Sequence, residues 1–105
     1  MEVQYLFNSK GDWIAFRKGK HLFAPRGDWL GWFPWGDDVA VDTYGEYLGT
    51  VYLGKRLYRF DDPKYRGYPG STPSPGNPGY PGSPGQEDEG WLPAAAEDVR
   101  MEVAW

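Results

Sequence analysis

The chain has 105 residues, no cysteine and a net charge of −4. That length suits one domain, and without thiols neither a disulfide framework nor a thiolate metal site can form. The charge is local. Residues 1–68 hold ten Lys or Arg against nine Asp or Glu, whereas residues 69–105 hold Arg100 against six acids. Neither part has the basic footprint that a phosphate backbone selects, so no nucleic-acid partner is expected. The N-terminus lacks the basic and apolar regions of a signal peptide, and no apolar run approaches the ~20 residues that span a bilayer. No membrane partner is expected, and the expected location is cytoplasmic.

The first half states one phrase three times: Gly11-Asp12-Trp13-Ile14-Ala15, Gly27-Asp28-Trp29-Leu30-Gly31 and Gly45-Glu46-Tyr47-Leu48-Gly49. The copies start 16 and then 18 residues apart. Four residues before each glycine stands Phe7, Phe23 or Val41, closing a short apolar run. The intervening residues Asn8-Ser9-Lys10, Ala24-Pro25-Arg26 and Asp42-Thr43-Tyr44 suit a type I turn, and the glycine supplies the left-handed residue that follows. This is the three-residue hairpin loop with a bulge, so the phrase predicts repeated antiparallel hairpins.

In chain order, residues 2–8 alternate as a first arm with Val3, Tyr5 and Phe7 on one face. The second arm, Asp12 to Arg17, sets Trp13 and Ala15 against Ile14 and Phe16, apolar on both sides and so covered on both. Hairpin two opens with His21-Leu22-Phe23. Its second arm, Asp28 to Trp35, puts Trp29, Gly31, Phe33 and Trp35 on one face and Leu30 and Trp32 on the other. Pro34 ends that arm or places it at an edge, because it cannot donate to a ladder. Hairpin three runs Val39–Val41, then Glu46–Leu53. A fourth unit begins at Leu57-Tyr58-Arg59-Phe60. With Phe60 aligned to Phe7, however, the turn glycine is replaced by Lys64, and Gly67 comes three residues late.

Three segments follow: a hairpin domain over 1–68, a Pro/Gly-rich then acidic stretch over 69–90, and a C-terminal segment over 91–105. Residues 76–85 place glycine at every third position. That composition favours polyproline II and predicts an extended segment lying on the aromatic body, with Tyr68 and Tyr80 available to anchor it. In the last segment Val99, Met101, Val103 and Trp105 alternate with polar or small residues. This predicts a strand able to supply the arm that the fourth unit lacks; Ala94–Ala96 leave a helix as the alternative.

The glycine phrases, the Asp28–Trp32 run and the Gly79-Tyr80-Pro81-Gly82 tail together resemble the four-fold beta flower proteins, a group of small bacterial proteins. The resemblance spans roughly residues 4–85. It implies an all-β fold of four hairpin petals around a pseudo-four-fold axis and carries over no site residues. The irregular fourth unit departs from it.

Motifs for chemistry are sparse. Arg26-Gly27-Asp28 spells an adhesive tripeptide, but Lys10-Gly11-Asp12 fills the same turn slots. His21 is a lone histidine in an arm position shared with Tyr5 and Val39, and reads as structural. Asp37-Asp38 and Asp61-Asp62 read as solvated loop acids, without the oxygen spacing of a calcium loop. No nucleophile with a base, no phosphate cradle and no zinc spacing occurs. The expectation is a non-enzymatic binding or scaffolding module with no catalytic residue, metal or cofactor. Its candidate surface is Trp29, Trp32 and Trp35 beside Asp37 and Asp38. A protein partner or self-association suits that surface better than a carbohydrate.

Overall fold

The computed structural model describes residues 3–61, 69–70, 74–76 and 78–99. The strands are β1 (Val3–Phe7), β2 (Trp13–Lys18), β3 (His21–Phe23), β4 (Trp29–Trp32), β5 (Val39–Asp42), β6 (Tyr47–Tyr52), β7 (Arg56–Phe60) and β8 (Ala96–Asp98). The described residues contain no helix. Each strand pairs with the next in sequence, and a parallel bridge from Phe7 to Arg56 joins β1 to β7. The first seven strands thus close into a barrel-like sheet, the arrangement that removes exposed edges.

The three phrases build the same loop. In each, the glycine amide donates to the carbonyl three residues earlier, Gly11 to Asn8, Gly27 to Ala24 and Gly45 to Asp42, at 2.8–3.1 Å. The glycines hold φ of 93°, 97° and 87°, where a Cβ is strained. Asn8 and Asp42 also turn their side-chain oxygens onto amides of their own loops, Lys10 and Asp12 in one case, Tyr44 and Glu46 in the other.

The bulge after each glycine corrects the expected faces. Leu6 pairs with Ala15 and Phe7 with Trp13, so Ile14 is the extra residue; Leu30 and Leu48 are extra in the other two hairpins. One inserted residue shifts the two-residue alternation. Ile14 and Ala15 therefore both join the inner core, with Leu6, Leu22, Phe33, Ala40, Val51 and Leu57, while Leu30 and Leu48 pack against it. Trp13 and Phe16 share the outer face, as do Trp29 and Trp32 through their pairing with Phe23 and His21. The expected opposition of Trp29 and Trp32 does not hold. The small residues permit close approach: a Cβ on Gly31 would overlap the Val41 carbonyl, and one on Gly49 would come 2.9 Å from a Val99 methyl carbon.

The same registers re-align the fourth unit. Phe16 pairs with Phe23, Trp32 with Val41 and Thr50 with Tyr58, which makes Tyr58, not Phe60, the counterpart of the first-arm residue that closes each hairpin. Its missing arm comes from β8, which pairs Asp98 with Tyr58 and leaves Val99 in the inner core. The strand lies before the alternation expected at residues 99–105, of which all but Val99 falls outside the described residues.

Outside the barrel, the aromatic face meets the Pro/Gly-rich segment. Tyr80 lies 6.3 Å from Trp13, the Tyr5 hydroxyl donates to the Pro81 carbonyl, and Lys18 Nζ donates to the Pro78 carbonyl. Tyr68 lies outside the described residues. Polyproline II does not hold at the glycines. Gly70, Gly76, Gly79, Gly82 and Gly85 all take φ between 70° and 93°, each following a proline. Among the described residues the backbone around them forms neither a turn nor a sharp bend, so the segment stays extended without the regular left-handed twist of polyproline II.

That segment passes the hairpin turns in reverse order. A Cβ on Gly45 would lie 3.4 Å from Pro69, one on Gly27 3.7 Å from Pro78, and one on Gly11 would overlap the Glu87 carbonyl. The path is pinned at turn one: Glu87 N donates to Gly11 O, Gly90 N to Ser9 O, and Ser9 N and Oγ to the Asp98 carboxylate at 2.7 and 2.6 Å. Arg56, only 4% exposed, donates to the carbonyls of Asn8 and Asp88, both at 2.8 Å. Lys55 bonds Glu87 at 2.9 Å and holds that carboxyl below its usual range.

Two alanine substitutions separate backbone strain from this docking. Gly36 has φ 73° with open space around its missing Cβ, so Gly36→Ala costs about 1 kcal/mol of strain. Gly11→Ala adds a collision with the Glu87 backbone and is expected to cost about 3 kcal/mol or more in urea unfolding. Equal losses would mean that the return segment exerts no force on turn one.

Candidate functional site

The expected surface at Trp29, Trp32, Trp35, Asp37 and Asp38 divides into two parts. Trp32 is buried at 5% exposure, while Trp29 and Trp35 are half-buried. The two carboxylates do not converge. Asp37 accepts the Val39 amide on its side chain and an Arg17 N–H on its carbonyl. Asp38 is exposed and meets Arg17 at 3.4 Å. Arg17 also stacks over Phe33 with its guanidinium carbon 3.7 Å from the ring centroid. The acids therefore tie the β4–β5 connection to β2, a positioning task, and an ion pair this exposed contributes little.

The other part is more informative. On the outer face of hairpin two, His21 lies 6.0 Å from Trp29 and 6.1 Å from Phe23, ring centre to ring centre. Among the described residues His21 Nδ1, Trp29 Nε1 and Trp32 Nε1 are buried without a hydrogen-bond partner. A buried polar atom left unpaired costs about 1–3 kcal/mol, and buried indole N–H groups usually find acceptors.

Beside this cluster lies a groove of about 460 Å³ lined by Lys18, Lys20, His21, Phe23, Pro75 and Pro78. Its position follows from register: Lys18 pairs with His21 at the open end of hairpin two, and the Pro/Gly segment forms the far wall. Phe23 and the prolines supply apolar surface. Lys20 is exposed and enters no ion pair among the described residues, so the rim is cationic. His21 is held below its ordinary pKa of 6.5, first by burial and then by Lys20, so its imidazole is neutral at neutral pH.

Sequence reasoning reached His21 and the tryptophans but not the groove. Lys18 ends β2, Lys20 stands in the turn that follows, and the prolines come at least 55 residues further on, so no local spacing links them. A second feature was likewise outside the expected surface. Trp91 is 70% exposed, its ring tilted at 48° to Tyr52 with centroids 6.3 Å apart, with Leu92 beside it. Among the described residues no group of acids and His is arranged to hold a metal, and no helix is long and apolar enough to cross a membrane. Comparison with protein-family models, curated proteins and solved structures returned no match.

The neutral state of His21 gives a pH dependence. With the folded pKa lowered, the unfolded chain takes up its proton first, so the His21 contribution is complete above 6.5 and lost as pH falls below it. Urea unfolding at pH 7 and pH 5 is expected to show wild type losing more stability than His21→Gln over that interval. A difference between the two proteins that stays constant with pH would contradict the burial of this ring.

Proposed function

We propose that the chain is a non-catalytic binding module whose four units are petals around a pseudo-four-fold axis, and that the groove on hairpin two is its binding site. The petal arrangement is supported by the recurrence of one core position, Leu6, Leu22, Ala40 and Leu57, each fully buried. A second position recurs likewise as Ile14, Leu30, Leu48 and Val99. It is the arrangement implied by the resemblance to four-fold beta flower proteins. The absence of catalysis is supported by where the polar groups go: Asp37, Asp42 and Asp98 are committed to backbone amides, and His21 to an aromatic cluster.

The observation that carries the binding role is the cationic rim above an apolar floor, next to three buried nitrogens that lack partners among the described residues. Binding sites combine a mostly apolar cleft with a few polar groups that fix orientation. This one suits an apolar group carrying negative charge. Uncharged sugars fit it less well, because a sugar platform needs an exposed aromatic face and Trp32 is buried.

N-acetyltryptophanate, its neutral amide and cellobiose are suitable probes, titrated into ¹⁵N-labelled full-length protein. The anion is expected to shift the amides of Lys18–Phe23 and the indole N–H of Trp29. The neutral amide is expected to bind several-fold more weakly and cellobiose not at all. Lys20→Met should weaken the anion by about two- to five-fold, the range of an exposed charge contact. No shift at the groove with any probe would overturn the reading.

A further inference from the structure

The same chain that carries this groove also carries a group to fill it. Trp91 and Leu92 are exposed large apolar residues, at 70% and 36%, although the chain has buried its other described tryptophans at least in part. They follow directly on the acids Glu87, Asp88 and Glu89. Glu87 is taken by Lys55, while the exposed side chains of Asp88 and Glu89 enter no ion pair among the described residues. The backbone that carries the exposed indole is held from behind. Tyr58 donates its hydroxyl to the Trp91 carbonyl at 3.0 Å, Gly90 N bonds Ser9 O, and Arg56 bonds Asp88 O. An aromatic on a bonded backbone spends no backbone entropy on docking, which favours it as an interface anchor.

This anchor cannot reach the groove of its own chain. Its backbone is fixed at β7 and turn one, against Tyr52 and Tyr58, while the groove opens at the β2–β3 turn. The two surfaces nevertheless complement each other. One offers an indole and a leucine beside two free carboxylates; the other offers an apolar floor of Phe23, Pro75 and Pro78 beside the ammonium of Lys20.

We infer that the natural occupant of the groove is a second copy of this chain, inserting Trp91 and Leu92 with Asp88 and Glu89 against Lys20. The inference rests on the binding reading above and names its ligand. The contact joins two different surfaces, so it is heterologous: each molecule has one groove and one anchor, and association continues until the rotation closes a ring or a reciprocal dimer. Opposite charges at the rim set register and make the association salt-dependent.

Sedimentation velocity of the full chain over a concentration series tests this. Wild type is expected to gain mass with concentration, and 0.5 M NaCl to weaken the gain several-fold. Trp91→Ala, at an exposed site that leaves the core untouched, is expected to weaken association by at least about tenfold. Lys20→Glu should do the same from the other side, and Lys20→Glu with Glu89→Lys should restore it. Trp91→Ala keeps its groove and Lys20→Glu keeps its anchor, so mixing them is expected to give a one-to-one complex and nothing larger. A wild type that stays monomeric throughout overturns the inference, as does a Trp91→Ala protein that associates like wild type. If N-acetyltryptophanate fills the groove of a strictly monomeric wild type, self-association alone fails and the binding reading stands. If neither occurs, both fail.

Discussion

Everything in this fold depends on a residue without a side chain at the head of each hairpin. The turn glycine takes a left-handed backbone that ends the loop in one extra residue, and that residue resets the alternation of the returning strand. Ile14, Leu30 and Leu48 are turned inward, and the aromatic residue before each, Trp13, Trp29 or Tyr47, is turned outward. A small barrel cannot bury many large rings inside itself, so aliphatic residues with Phe33 fill the interior and most aromatic residues coat the outside. The coat then needs cover. The missing Cβ of the same glycines leaves the space through which the Pro/Gly-rich segment crosses the turns.

That second layer explains the composition of the tail. Proline carries no N–H that would have to be satisfied over an apolar surface, and the glycines take a positive φ that side chains rarely adopt. The result is a cover that follows a curved barrel and borrows few hydrogen bonds from it. Where the cover ends, bonding becomes dense: Arg56, Ser9, Gly11 and Lys55 all engage residues 87–90 or Asp98. The completed fourth unit depends on that anchorage, because β8 reaches β7 only after the chain has returned past turn one.

The hairpins were legible in the sequence because their determinants are local: turn chemistry, a glycine at fixed offset and short apolar arms. The bulge was legible too, yet its consequence for facing was not drawn from a simple two-residue alternation, and Trp29 and Trp32 were set on opposite sides. The fourth unit was misaligned by two residues because Phe60 resembles Phe7 more than Tyr58 does, and only cross-strand register distinguishes them. Polyproline II was the natural expectation for a three-residue period, but the glycines take a positive φ that a residue without a Cβ adopts freely. The groove was invisible for a different reason. It joins Lys20 to Pro75 and Pro78 through a tertiary contact that no spacing encodes. Exposed Trp91 was likewise indistinguishable from a core tryptophan until its neighbours were in place.

The central claim is that the return segment is a structural layer of the domain, fixed to the first turn by the amides of Glu87 and Gly90. Native-state hydrogen exchange at those two amides tests it most directly, since they donate to Gly11 O and Ser9 O at 3.0 and 2.8 Å. The account predicts protection comparable to that of the β1–β2 amides, lost only with the barrel itself. Exchange of both at the rate of an unstructured chain, while the barrel strands remain protected, would contradict it.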